Sequence, residues 1–127
     1  MSTEISIHRT AMEKIAKLLS QRPGFHHKEQ LNSRSSGMTL YFNNLASVTI
    51  TTAYFGEKDK SEDPGIRIYF PQHKSLALVL NADSNWVCTN GQAVGTPSEI
   101  AQLIHSVVHD QSILNRYPCT ANDAKYI

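Results

Sequence analysis

At about residue 37 the apolar pattern of this chain changes period, and that change constrains the fold more than any other feature. Upstream, Ala11, Met12, Ile15, Leu18 and Leu19 recur at helical spacing. Downstream, apolar residues occupy every second position. Met38, Leu40 and Phe42 come first, then residues 45–55, rich in Val, Ile, Thr and Tyr. Ile66, Ile68 and Phe70 follow, then Leu76, Leu78 and Leu80, and last a short run at 86–89. A period of two belongs to strands that bury one face, so the pattern predicts about five strands in succession. Asn43-Asn44, the charged stretch 56–64, residues 71–74 and 81–85, and Asn90-Gly91 separate or end these runs. Connections this short favour an antiparallel meander, because parallel neighbours need a crossover of a dozen or more residues.

A helix is expected on each side of the meander. Thr10-Ala11-Met12-Glu13 reads as a capping box opening a helix over 10–21, which Pro23-Gly24 stops. Ile5 and Ile7 alternate like a short strand, while Ile5 and His8 continue the helical spacing, so the start stays open. Residues 23–37 read as a long loop. Thr96-Pro97-Ser98-Glu99 combines an N-cap, a proline at the first helical position and a capping-box glutamate. Ile100, Leu103, Ile104, Val107 and Val108 supply that helix's apolar face, and Pro118 ends it at the latest. The fold class is therefore α+β: a meander with an N-terminal and a C-terminal helix on one sheet face, covering Leu40, Ile50, Ile68 and Leu78. The 127 residues fit a single domain (1–127), with a loosely held tail from about residue 119.

Net charge is +1, which argues against a protein that coats DNA and against a nucleic-acid mimic. No leader peptide is expected, since charged residues interrupt the first 25 positions, and no apolar run approaches the ~20 residues of a membrane helix. Two cysteines, Cys88 and Cys119, read as free thiols of a reducing compartment. The expected setting is cytoplasmic, away from membranes.

Three groups of residues carry chemistry. His105 and His109 lie four apart on the second helix, so both imidazoles project from one side, a spacing that suits zinc. The motif is partial, because Ser106 stands where a zinc protease places its glutamate base. The plain alternative is two half-exposed histidines flanking the apolar stripe, and no cofactor is expected beyond that weak zinc site. Arg22, His26, His27, Lys28 and Arg34 form a cationic cluster, and residues 1–34 hold six Lys/Arg against three Glu. Such a cluster steers phosphate or an acidic surface, or is simply a solvated face.

The third group follows from the strand period. If the leucines and isoleucines face the helices, Tyr41, Thr49, Thr51, Arg67 and Tyr69 share the opposite face, with Ala77 and Val79. Two terminal helices cover only one face of a sheet. Tyr and Arg are enriched in binding hot spots, and Thr and Tyr are also common on solvated sheet faces. No nucleophile elbow and no phosphate-cradling glycine loop occurs. The pattern thus points to a non-catalytic protein–protein interaction domain, a small accessory, inhibitory or adaptor protein that binds a larger protein or a second copy of itself. A nucleic-acid-binding module using the basic N-terminal third or the open sheet is the first alternative. A metal- or small-molecule-binding protein with enzymatic activity at His105 and His109 is the second.

Overall fold

Apolar residues opposed across neighbouring strands form the floor of the core. The computed structural model describes residues 3–30, 37–55, 63–71, 74–88 and 90–121. Its elements run α1 (Thr3–Ser20), β1 (Phe25–Gln30), β2 (Gly37–Phe42), β3 (Ser47–Phe55), β4 (Asp63–Phe70), β5 (Lys74–Leu80), β6 (Trp86–Cys88), β7 (Ala93–Gly95) and α2 (Pro97–His109). A 3₁₀ helix (Gln111–Arg116) and a two-residue strand β8 (Thr120–Ala121) follow. Strands β1 to β7 lie in chain order, each antiparallel to the next, as a meander. β8 pairs with Lys74 and Ser75 of β5.

The register explains the core. Met38 lies opposite Ile50, Ile50 opposite Ile68, and Ile68 opposite Leu76, a transverse row across four strands. One step along, Ile66 lies opposite Leu78 and Leu78 opposite Cys88. All seven are buried, as are Leu40, Val48 and Trp86. Above this floor lie Ala11, Met12, Ile15, Ala16 and Leu19 of α1, and Ile100, Ala101, Leu103, Ile104, Val107 and Val108 of α2. The helices also contact each other, so they roof the sheet together.

The α2 start is as predicted. The Thr96 hydroxyl accepts from the Glu99 N–H, and the Glu99 carboxylate accepts from the Thr96 N–H. Gly95 is required just before it. Its φ is +119°, and a Cβ there would strike the Glu99 carboxylate.

Four expectations change. The described residues form eight strands rather than about five. The stretch 23–37 is not a continuous loop, because Phe25–Gln30 forms β1 (residues 31–36 lie outside the described set). Five of its six residues are exposed, so an edge strand this polar shows no apolar alternation. α1 begins at Thr3, one turn or more before the Thr10 box, because His8 is buried and continues the stripe. The tail is tied at Thr120–Ala121, and residues 122–127 lie outside the described set, as do 56–62 of the predicted charged loop.

The two sheet faces should respond differently to truncation. Ile68→Ala is expected to lower the unfolding free energy by about 2–5 kcal/mol, and Thr51→Ala by about 1 kcal/mol or less, in urea titrations followed by circular dichroism. Equal losses would mean that the faces are not distinguished as the register indicates.

Candidate functional site

The face opposite the helices is built by the same register that builds the core. Thr39 lies opposite Thr49, Thr49 opposite Tyr69, and Tyr69 opposite Ser75. Thr51 lies opposite Arg67, and Arg67 opposite Ala77. The predicted set Tyr41, Thr49, Thr51, Arg67 and Tyr69 therefore shares one surface, and each side chain is half-buried. Cross-strand bonds pin it. The Thr39 and Thr49 hydroxyls are 2.9 Å apart, and Arg67 Nη1 donates to Ser75 Oγ at 3.0 Å. Ser75 itself is fully buried.

At the β1 edge the surface changes character. His27 lies opposite Tyr41 and stacks on it, with ring centroids 4.6 Å apart and an interplanar angle of 12°. Tyr41 Oη donates to Glu29 Oε1 at 3.2 Å, while Glu29 Oε2 is 3.6 Å from His27 Nε2. The bond to Glu29 pushes the Tyr41 phenol above its ordinary value, with burial and the Glu29 charge adding to it. A cleft of about 390 Å³ opens beside this group, lined by His26, His27, Tyr41, Asn43, Leu45 and Ala46.

The predicted cationic cluster is not one patch. Lys28 lies opposite core-facing Leu40, whereas His27 lies on the open face, and Glu29 sits among the cations. Arg22 is half-buried in the turn before β1, and Arg34 lies outside the described residues.

His105 and His109 do come together, with ring centroids 4.6 Å apart. Each already has a backbone partner. His105 Nε2 is 3.2 Å from the Pro23 carbonyl oxygen, and His109 Nδ1 is 2.9 Å from the His105 carbonyl oxygen. The first of these bonds docks the end of α2 against the turn into β1, and the second lies within the helix. Among the described residues no group of three or more His, Cys, Asp or Glu converges as metal ligands. His73 lies outside the described residues.

Both thiols are held protonated. Burial pushes Cys88 up to about 11, with the nearby Cys119 adding to it. Burial also raises Cys119, against the opposing charge of Lys74. A thiol raised in this way is a poor nucleophile at neutral pH. Sequence reasoning missed His8, which is buried edge-on against Trp86 at 5.0 Å. Its place in the α1 stripe was the available signal. It also missed the grouping of His27, Glu29 and Tyr41, for which β1 had first to be found.

Comparison with protein-family models, with curated proteins and with solved structures finds no match.

Folding holds the Cys88 proton more tightly than the unfolded chain does. That contribution to stability is complete below the ordinary thiol value of 9.0 and is lost as pH rises toward about 11. The urea midpoint of the wild type is expected to fall over that window more steeply than that of Cys88→Ala. Parallel declines would show that Cys88 is not linked to folding.

Proposed function

We infer that this chain is a non-catalytic binding domain that docks a larger protein on its open sheet face. The observation that carries this reading is the surface of Tyr41, Thr49, Thr51, Arg67 and Tyr69 on a sheet whose other face is sealed by both helices. Aromatic and guanidinium groups held by a rigid scaffold lose little conformational freedom on binding and dominate many interfaces. The face suits this role better than the β1 edge. That edge carries a β-bulge and Lys28, features that discourage pairing with another strand. The held-down thiols favour binding over catalysis.

The test compares affinity-tagged wild type with an Arg67→Ala/Tyr69→Ala double variant in nuclease-treated native lysate. The expected result is a stoichiometric protein captured by the wild type and lost by the variant, while the variant's melting temperature stays within a few degrees. Capture retained by the variant places the docking site elsewhere. Capture that vanishes with nuclease supports nucleic-acid binding instead.

A further inference from the structure

One edge of β5 carries two different strands, and between them they bring the chain's two cysteines together. β4 pairs along one edge of β5, from Lys74 to Val79. On the other edge, β6 covers Leu78 to Leu80 and β8 covers Lys74 and Ser75. Cys88 ends β6, opposite Leu78. There the chain turns away, with the Gly91 N–H donating to the Cys88 carbonyl and the Cys88 N–H to the Gln92 carbonyl. Thr120 lies opposite Ser75, so Cys119, one residue before it, comes level with Leu76. Both strands are antiparallel to β5, and β8 continues the line of β6.

Leu76 and Leu78 lie two steps apart on one strand, and both are buried in the core. Two such steps span roughly 6.6 Å, and a disulfide joins Cα atoms about 4.4–6.8 Å apart. The faces agree as well. Cys88 is buried, and Cys119 packs against the same core cluster. Cys119 is also near enough for its charge to raise the Cys88 thiol. Both thiols are free in this structure.

We propose that Cys88 and Cys119 are a dithiol pair that forms a reversible intramolecular disulfide by exchange with a low-molecular-weight disulfide such as oxidised glutathione. Cys119 is the half-buried thiol and meets the reagent first. Its thiolate attacks one sulfur of the reagent, forms a mixed disulfide and releases one thiolate, which takes a proton from water. Cys88 then gives its proton to water and attacks the Cys119 sulfur, and the second half of the reagent leaves as a thiolate. Two protein thiols are oxidised, and one disulfide is reduced to two thiols. Cys88 needs no access to solvent, because its partner stands beside it. Burial holds both protons, so exchange is slow at neutral pH and quickens as pH rises. The bond closes the chain from Cys88 to Cys119 around α2 and fastens β8 on β5.

The test incubates the reduced full chain with oxidised glutathione at mildly alkaline pH, then unfolds it with iodoacetamide present and reads its intact mass. The expected product has lost two hydrogens, carries no glutathione and no alkyl group, and returns to the dithiol with dithiothreitol. Its formation should quicken about tenfold per unit of pH around neutrality. It should melt about 5–15 °C above the reduced chain. Cys88→Ala should stop at a mixed disulfide on Cys119. Cys119→Ser should leave Cys88 unmodified by glutathione and open to alkylation only after unfolding. Two alkylated cysteines in the wild type after prolonged exchange, a lasting mixed disulfide, linkage between chains, or an oxidised form that melts below the reduced one would overturn the proposal.

Discussion

Met38, Ile50, Ile68 and Leu76 face one another across four neighbouring strands, and the rest of the molecule is arranged around that row. Side chains alternate between the faces of a sheet, so a slip of one residue in any pairing would move a whole apolar set into water. The row therefore decides the register of β2 to β5. Because the same pairings carry the residues in between, it also decides that Thr49 meets Tyr69 and Thr51 meets Arg67 on the other face. Core and candidate surface are two consequences of one set of pairings.

The helices convert this sheet into a two-layer domain. α1 and α2 touch each other and lie on the same face, where Ile15, Leu19, Ile100 and Ile104 are fully buried. The Thr96–Glu99 box fixes where α2 starts, and the contact of His105 with the Pro23 carbonyl fastens its end to the turn before β1. One histidine of the pair with zinc spacing thus bonds the helix to a neighbouring turn. The layer arrangement leaves the Tyr, Thr and Arg face on a scaffold stiffened from behind.

β1 obeys different rules from the strands beside it. It is an edge, nearly all of it exposed, and its chief apolar anchor is Phe25, packed edge-on against Phe42 at 6.0 Å. Edge position removes the need for alternation, and this frees the strand to carry a bulge and a cluster of ionisable groups. His26, His27 and Glu29, with Tyr41 from β2, form a connected polar group at this edge of the sheet.

The sequence by itself determined the α+β class, the antiparallel order of the central strands, the α2 cap and the parity of each apolar strand. Those features rest on local chemistry and on a side-chain period that burial makes visible. The same parity put Tyr41, Thr49, Thr51, Arg67 and Tyr69 on one face. Only the tertiary structure decided the remainder. β1, β7 and β8 are too short or too polar to show a period, and they exist as strands because a paired neighbour completes their hydrogen bonds. The Thr10–Glu13 box lost to the burial of His8 against Trp86, a contact between residues 8 and 86 that no local signal contains. The basic cluster was split between two faces because a strand, unlike a loop, alternates. His26 and His27 were joined because a bulge, visible only in the pairing of two strands, suspends that alternation for one residue.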